Sequence, residues 1–252
     1  MSFDLKDKNV FVTGSTKGIG FEIAKYFCLK GAKVIINSRN LKDCKTLASE
    51  INCAGFSHGD MTNDEEAHLA IENAVQSLGG QLDVLVCNVG SGASVPPGKE
   101  SISDWQKMIN INLFSTVLAV ENSRKHLAKT QGVIVCISSI CGHEIIKGAP
   151  LTYSATKAAL NHYIKGMSWP LSEENVRING ISPGNIIFDG SSWESKLKNQ
   201  ENEVQEMLNS DVPMNRFGTT SEIASAVGFL ASSNSTFMTG SIMIIDGGQT
   251  KN

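Results

Sequence analysis

The chain has 252 residues, with 22 lysines and arginines against 25 aspartates and glutamates and a formal net charge of −3. This length suits one α/β domain, so a single domain over residues 1–252 is expected. The acidic balance and the lack of a Lys/Arg-rich run in the sequence argue against binding to nucleic acid. Residues 1–8 are charged and no apolar run is long, which predicts neither a signal peptide nor a membrane span and hence a cytoplasmic protein.

Apolar runs that alternate with amphipathic stretches predict a doubly wound α/β fold. Strands are predicted at residues 9–13, 32–37, 55–58, 82–87 and 132–137, and helices at residues 18–27, 41–51, 67–78, 102–110 and 113–127. Strands that alternate with helices in this way form a parallel sheet that is covered by helices on both faces.

The cysteines and histidines are scattered along the sequence. The six cysteines include no C-x-x-C pair, and the five histidines include no H-E-x-x-H motif, so no metal site is predicted. Cys87 and Cys136 lie within apolar, strand-like runs. Free and buried thiols are therefore expected.

A glycine-rich turn joins the first predicted strand to the first helix. It reads Thr13-Gly14-Ser15-Thr16-Lys17-Gly18-Ile19-Gly20. Glycines at this spacing let backbone N–H groups and the helix N-terminus approach a pyrophosphate. The strand–turn–helix context favours a dinucleotide site. The alternative is tight backbone packing without a ligand.

The second predicted strand is followed by Ser38 and Arg39. At this point of a dinucleotide-binding fold a carboxylate bonds the ribose 2′-hydroxyl, whereas an arginine accommodates a 2′-phosphate. Arg39 therefore favours NADP(H) over NAD(H), and Lys17 would supply a second positive charge. The alternative is that both residues are ordinary surface cations.

Tyr153 and Lys157 are four residues apart in a helical pattern, which places them on one face of a helix. A phenol ordinarily has a pKa of about 10, and an adjacent ammonium is expected to lower it. The pair therefore predicts an acid/base catalyst. Two exposed side chains on a solvated helix face are the alternative.

The order of these motifs resembles the short-chain dehydrogenase/reductase family. The similar positions are Thr13-Gly-x-x-x-Gly-x-Gly20, Asp60, Asn88-x-Gly90, Asn112, Ser139, Tyr153-x-x-x-Lys157, Pro183-Gly184 and Ile245-Asp-Gly-Gly248. The resemblance covers almost the whole chain. It implies a Rossmann-like three-layer fold with a seven-stranded parallel sheet, assembled as a homotetramer or homodimer. It also implies an enzyme that interconverts a carbonyl and a secondary alcohol by hydride transfer.

The resemblance also implies a role for each matching residue. Tyr153 would exchange a proton with the substrate oxygen, while Lys157 would lower the tyrosine pKa and bond the nicotinamide ribose. Ser139 would hold the substrate oxygen, and Asn112 would anchor a water next to Lys157. The implied cofactor contacts are Gly14, Ser15, Thr16, Lys17, Gly18, Ile19, Gly20, Ser38, Arg39, Asp60, Met61, Asn88, Gly90, Tyr153, Lys157, Pro183, Gly184 and Ile186. As alternatives, Ser138 or Ser139 would only terminate a strand, and Asn112 would only cap a helix.

Two positions depart from the family pattern. Val89 stands where the family usually has alanine, and it adds bulk next to the cofactor path. Ile187 and Phe188 stand where many members have a threonine that contacts the nicotinamide carboxamide. No side chain is therefore assigned to that contact.

Residues 185–214 form a predicted substrate lid, because they follow the sixth strand at the edge of the sheet where ligands bind. Within the lid, Trp193 would stack on a sugar ring or anchor the segment. The helical stripe of Leu197, Val204, Met207 and Leu208 is expected to make core contacts. Residues 183–194 resemble family members that act in bacterial surface-sugar or nucleotide-sugar pathways, which implies a polar small metabolite such as a sugar or nucleotide-sugar of surface-glycan biosynthesis as the substrate. A 3-oxoacyl-(acyl carrier protein) reductase and a non-catalytic dinucleotide-binding regulator remain alternatives.

Overall fold

The computed structural model describes residues 3–251. The strands are β1 (Asn9–Val12), β2 (Lys33–Ser38), β3 (Gly55–His58), β4 (Val84–Cys87), β5 (Val133–Ile137), β6 (Arg177–Pro183), β7 (Ile186–Ile187), β8 (Gly218–Thr219) and β9 (Ile242–Ile245). The helices are α1 (Gly18–Leu29), α2 (Leu41–Glu50), α3 (Asp64–Ser77), α4 (Ile102–Ile109), α5 (Ser115–Thr130), α6 (Leu151–Glu173), α7 (Ser192–Asn199), α8 (Glu201–Asp211) and α9 (Thr220–Ala231).

Seven strands form one parallel sheet in the order β3-β2-β1-β4-β5-β6-β9. The predicted doubly wound fold and its seven-stranded sheet are therefore confirmed. The strand order changes direction between β1 and β4. A crevice at the carboxyl ends of the strands is expected at such a switch point. A separate parallel pair, β7 and β8, was not predicted.

The central strands are apolar throughout because helices cover both faces of the sheet. Successive side chains of a strand point to opposite faces. In β4, Val84 and Val86 pack in the cluster that includes α1 and α9, whereas Leu85 and Cys87 pack in the cluster that includes α3, α5 and α6. Two apolar cores therefore fix the sheet from opposite sides.

Some element boundaries differ from the predicted ones for local reasons. Helix α3 begins at Asp64, three residues earlier than predicted, because the Asn63 side chain caps it. Strand β4 begins at Val84 rather than at residue 82, and the adjacent Asp83 carboxylate instead accepts a hydrogen bond from the Asn9 backbone. The helices predicted at residues 102–110 and 113–127 are continuous through a π-helical turn, Asn110–Phe114.

The predicted lid, residues 185–214, contains β7, α7 and α8. The apolar residues of α7 and α8 and the following Val212 form a small cluster apart from the two main cores, with Val204, Leu208 and Val212 buried and Leu197 and Met207 packed against them. The expectation that this helical stripe makes core contacts is confirmed. No helix among residues 3–251 has the length and hydropathy needed to cross a bilayer.

Candidate active site

A cleft of about 730 Å³ opens at the carboxyl ends of the central strands. The predicted site residues that line it are Gly14, Thr16, Lys17, Gly18, Ile19, Gly20, Ser38, Arg39, Asp60, Met61, Asn88, Gly90, Ser139, Tyr153, Lys157, Pro183, Gly184 and Ile186. Two predicted site residues, Ser15 and Asn112, lie behind the cleft wall instead. The fold therefore brings together residues from the first strand to the lid.

The glycine turn is held by the side chain of Asn88, whose amide donates to the carbonyl oxygens of Gly14 (2.8 Å) and Thr13 (3.2 Å). A Cβ on Gly20 would lie 2.3 Å from the Asn88 Nδ2 atom, so the close approach requires glycine. Gly14 and Gly18 have φ angles of 58° and 57°, in the left-handed region that glycine adopts without strain. These contacts fix the shape of the turn.

The N-terminus of α1 has no side-chain cap, whereas Asn40 and Asn63 cap α2 and α3. The first N–H groups of a helix need an acceptor from outside the helix. Because α1 begins at Gly18 on the cleft wall, these donors are available to an anion.

Ser15 faces the interior rather than the cleft. Its hydroxyl donates to the Val12 carbonyl (2.7 Å) and accepts from the Asn37 backbone (2.9 Å), and its own N–H donates to the Asn37 carbonyl (2.9 Å). Ser15 is fully buried. The side chain therefore ties the glycine turn to β2, and its predicted cofactor contact finds no support in the geometry.

Arg39 and Asp60 form one corner of the cleft. The Arg39 Nη1 atom lies 3.4 Å from the Asp60 Oδ2 atom, and the Arg39 side chain is 74% exposed. Burial raises the pKa of Asp60, but hydrogen bonds from the Thr62 backbone and hydroxyl, with Arg39, leave that pKa below its usual value. An exposed ion pair of this kind is weak. Arg39 is therefore free to bind a stronger anion, and the exposed Lys17 forms no ion pair within residues 3–251.

Tyr153 and Lys157 lie one turn apart on α6, and both line the cleft. Lys157 is buried, its Nζ atom donates to the Ile137 carbonyl (2.8 Å), and the same atom lies 5.9 Å from the centre of the Tyr153 ring. Burial lowers the pKa of Lys157 to about 8. The lysine therefore carries its charge at neutral pH but titrates in the mildly alkaline range.

Burial raises the pKa of Tyr153 to about 12, although hydrogen bonding with Ser139 opposes the rise. This direction is the opposite of the predicted one. Lys157, whose pKa is about 8, is already neutral at the pH where the phenol titrates, so its charge does not lower the phenol pKa. At neutral pH the phenol is therefore protonated and able to give a proton.

Ser138 and Ser139 have different surroundings, which support the choice of Ser139 as the predicted catalytic serine. The Ser139 hydroxyl oxygen accepts from the Cys141 N–H (3.2 Å), so its own hydrogen is available to donate. Ser139 also lies near enough to Tyr153 to oppose the rise of the phenol pKa. The Ser138 hydroxyl is buried and donates to the Asn161 Oδ1 atom (2.5 Å). Ser139 is the serine that can act with the phenol.

Asn112 is buried in the π-helical turn, and its side chain bonds the Ser91 backbone. Its Oδ1 atom accepts from the Ser91 N–H (2.9 Å), and its Nδ2 atom donates to the carbonyls of Ser91 (3.1 Å) and Met108 (3.3 Å). A Cβ on Gly90 would lie 3.0 Å from Asn112 Oδ1 and 3.3 Å from Lys157 Nζ. Asn112 therefore sits close behind the lysine, and its water-anchoring role stays a prediction.

The family is decided by a match along nearly the whole sequence. The family model described as enoyl-(acyl carrier protein) reductase matches residues 14–250. The chain belongs to the short-chain dehydrogenase/reductase family. As a member of this family it is an oxidoreductase of the carbonyl–alcohol type, as the resemblance of the motifs predicted.

Relatives of this short-chain dehydrogenase/reductase have different substrates. The 3-oxoacyl-(acyl-carrier-protein) reductase FabG of Aquifex aeolicus is 33% identical over 254 residues, which covers 98% of this chain and 99% of the relative. L-sorbose reductase from Gluconobacter frateurii, solved with NADPH and L-sorbose, has a TM-score of 0.90 at 25% identity and covers 100% of both chains. A 7α-hydroxysteroid dehydrogenase solved with NADH and 7-oxo glycochenodeoxycholic acid has a TM-score of 0.87 at 28% identity, covering 98% of this chain and 96% of that one.

The structure of this short-chain dehydrogenase/reductase also places residues in the cleft wall that sequence reasoning did not assign to the cofactor. Lys107 and Ile111 line the cleft from α4 and the π-helical turn, where their four-residue spacing was a signal for a shared face. Gly92 faces the Tyr153 phenol, because a Cβ there would lie 3.9 Å from the Tyr153 ring. Phe188 lines the cleft as well.

The ring of Trp193 in the predicted lid packs against two other side chains. The Trp193 and Phe217 ring centres are 5.3 Å apart, with an angle of 49° between the ring planes. The Lys196 Nζ atom lies 4.5 Å from the centre of the Trp193 ring. Such contacts favour the anchoring alternative over stacking on a sugar. The indole still forms part of the cleft wall.

The six cysteines all lie in the described part of the chain and are free thiols, with Cys44, Cys87 and Cys136 buried. Cys87 and Cys136 are register partners on β4 and β5. Burial and a hydrogen bond with Cys136 raise the pKa of the Cys87 thiol. Residues 3–251 contain no group of three or more His, Cys, Asp or Glu side chains that could hold a metal ion.

Proposed function

We propose that this enzyme is an NADP(H)-dependent oxidoreductase that interconverts a ketone and a secondary alcohol on a polar small metabolite. The observation that carries the proposal is one cleft with Arg39 and Lys17 beside the glycine turn and with Ser139, Tyr153 and Lys157 in its wall. The cations suit a phosphorylated dinucleotide. The hydroxyl groups and the ammonium suit proton transfer.

The residues present fit a dinucleotide. The glycine turn leaves no room for side chains at Gly20, and the uncapped N-terminus of α1 offers N–H donors for a diphosphate. Gly90 leaves the backbone open in front of Lys157, which would hold the ribose next to the reacting ring. When bound, a nicotinamide dinucleotide supplies or accepts the hydride.

Three charges support the preference for NADP(H). Arg39 and Lys17 are both exposed on the cleft wall, and Asp60 is the only carboxylate among the described lining residues. A 2′-phosphate would find two cations at this corner, and its charge would compete with the long Arg39–Asp60 contact. The L-sorbose reductase, which holds NADPH, and the hydroxysteroid dehydrogenase, which holds NADH, indicate that the fold admits either cofactor.

Reduction is the direction that the resting protonation states favour. The Tyr153 phenol keeps its proton at neutral pH and would give it to the carbonyl oxygen of the substrate. Ser139 would donate its free hydrogen to the same oxygen and so hold it beside the phenol. The charged Lys157 stabilises the phenolate that remains.

The pH dependence of reduction follows from the lysine. The rate is expected to be constant from about pH 6 to about pH 7 and to fall about tenfold per pH unit above the Lys157 pKa of about 8, because the neutral amine no longer stabilises the phenolate. Initial rates of ketone reduction across this range test it. Lys157→Arg stays charged throughout, so its lower rate is expected to lack this inflection. A wild-type rate that stays flat well above pH 8 would contradict the assignment.

A sugar or nucleotide-sugar is the proposed substrate class, supported by the L-sorbose reductase among the structural relatives. The 33% identical FabG supports a 3-oxoacyl carrier-protein substrate as the alternative. Val204 and Leu208 of the predicted lid are buried against each other and do not line the cleft. A non-catalytic regulator is disfavoured because Ser139, Tyr153 and Lys157 are all present and line the same cleft.

We also propose that the enzyme is cytoplasmic and works as a homotetramer or homodimer. Trp169 on α6 is 82% exposed, and Phe237 near β9 is fully exposed. Large aromatic side chains in water are often covered by a partner subunit. Light scattering of the purified protein would give the mass of the assembly.

Titration of the purified protein with NADPH and NADH, followed by nicotinamide fluorescence, tests the cofactor proposal without a substrate. NADPH is expected to bind at least about tenfold more tightly, as one charge-assisted contact would provide. A panel of ketoses, a keto nucleotide-sugar and a 3-oxoacyl thioester then tests the substrate class through NADPH oxidation. Tighter binding of NADH than of NADPH would contradict the proposed cofactor preference. Turnover of the thioester alone would contradict the proposed substrate class.

A further inference from the structure

Asn37 is a buried polar residue near the end of β2, in an otherwise apolar part of the strand. The three residues before it, Val34, Ile35 and Ile36, are fully buried, and Asn37 itself is 1% exposed. Burying an amide costs free energy unless its donors and its acceptor are hydrogen-bonded. The partners of the Asn37 side chain therefore indicate what an asparagine does at this position.

The Asn37 side chain joins two turns of the cleft wall. Its Oδ1 atom accepts from the Gly14 N–H (3.1 Å) in the glycine turn. Its Nδ2 atom donates to the carbonyls of Ser57 (3.1 Å) and Gly59 (3.2 Å), at and just after the end of β3. Gly14, Asn37 and Gly59 all line the cleft. One side chain therefore fixes the separation between the glycine turn and the turn that leads into Asp60.

The backbone ladders of the sheet do not extend to these groups. The β1–β2 pairing ends at Val12 and Ile36, so the Gly14 N–H lies beyond it. The β2–β3 pairing likewise ends before Gly59. An apolar residue of similar size at position 37 would fill the same space, but it would leave these backbone groups without their partner.

We propose that Asn37 is a positioning residue that holds the glycine turn and the Gly59–Asp60 turn at the separation that the adenosine diphosphate half of the dinucleotide requires. The inference rests on the proposed function, since it takes these two turns as the walls around that half. The Asn37 amide is already engaged by the backbone on both sides, so it acts through the turns rather than on the ligand. Its loss is therefore expected to weaken NADPH and NADH equally, unlike the loss of Arg39.

Asn37→Leu tests the role, because it keeps a similar side-chain volume and removes all three hydrogen bonds. The dissociation constants of NADPH and NADH, measured by nicotinamide fluorescence well below the melting temperature, are each expected to rise by about tenfold. Displacement of NADPH by adenosine 5′-diphosphate is expected to show the same factor, since this probe contains only the half that lies between the turns. Asn37→Ser, whose hydroxyl is too short to join both turns, provides the same test if Asn37→Leu does not fold.

Asn179→Leu is the matched control for a purely structural role. Asn179 is fully buried on β6 and outside the cleft wall. Its Oδ1 atom accepts from the Ser241 N–H (3.1 Å), and its Nδ2 atom donates to the Met238 carbonyl (2.8 Å). Its replacement is expected to lower the melting temperature as Asn37→Leu does, but to change both dissociation constants by less than about twofold.

The outcomes separate the positioning role from the proposed function. Wild-type affinities in the Asn37 variants, a loss confined to NADPH, or an equal loss in Asn179→Leu would overturn the positioning role alone. Failure of the wild type to bind either dinucleotide would overturn the proposed function together with it.

Discussion

Tyr153→Phe is expected to lower the kcat for ketone reduction by roughly 10²–10⁴-fold, the usual contribution of a general acid. The substitution removes the one phenol that residues 3–251 contribute to the cleft wall, which is protonated at neutral pH and next to Ser139. The ring that remains still fills its buried position. NADPH affinity is therefore expected to change little, and steady-state rates together with a fluorescence titration measure the two effects separately.

Tyr163→Phe is the matched control for this change. Tyr163 lies on the same helix, and its buried hydroxyl has no hydrogen-bond partner within residues 3–251. Burial raises the pKa of this phenol as well, so it resembles Tyr153 in environment but lies outside the cleft wall. Turnover of Tyr163→Phe is expected to equal that of the wild type. Near-normal turnover of Tyr153→Phe would refute the proton-transfer role.

Arg39→Asp is expected to raise the NADPH dissociation constant by roughly 10- to 100-fold, because a hydrogen bond to a charged group contributes about 1.5–3 kcal/mol. The NADH dissociation constant is expected to rise by less than about threefold, since NADH has no 2′-phosphate for Arg39 to bind. The new carboxylate would also stand beside Asp60, which adds repulsion toward a phosphate. Parallel titrations with both cofactors measure the difference.

Lys33→Asp is the control for net charge. Lys33 is exposed at the start of β2, the strand that Arg39 follows, and the two residues are about 20 Å apart along it. This distance exceeds the screening length in physiological salt, so both cofactors are expected to bind as to the wild type. Equal losses of NADPH and NADH affinity in Arg39→Asp would show that the arginine does not read the 2′-phosphate.

The sheet could be predicted because buried parallel strands are continuous apolar runs that stand out from amphipathic helices. The boundaries near Asn63 and Asp83 could not, since each depends on a side chain that caps a helix or bonds a neighbouring strand. The pair β7–β8 was missed for a related reason. Two-residue strands carry no periodicity of their own, and only the partner strand defines them.

The candidate site likewise has features that the sequence could predict and features that it could not. The glycine turn and the Tyr153–Lys157 pair are local motifs, and their spacing alone indicates a shared surface. The raised pKa of Tyr153 depends on burial by elements that are far apart in the sequence, so spacing predicted the wrong direction. The contact of Phe188 with Gly18 joins positions 170 residues apart, and no local pattern could reveal it.

The small apolar cluster of α7 and α8, which is separate from the two main cores, has an evolutionary consequence. Val204, Leu208 and Val212 pack on one another rather than on the sheet, so substitutions in this segment can change its shape while both main cores stay intact. The predicted lid can therefore vary in sequence and shape while the sheet and its two cores stay the same. Proteins of this fold that handle an acyl carrier substrate, a ketose and a bile acid are what such an arrangement allows.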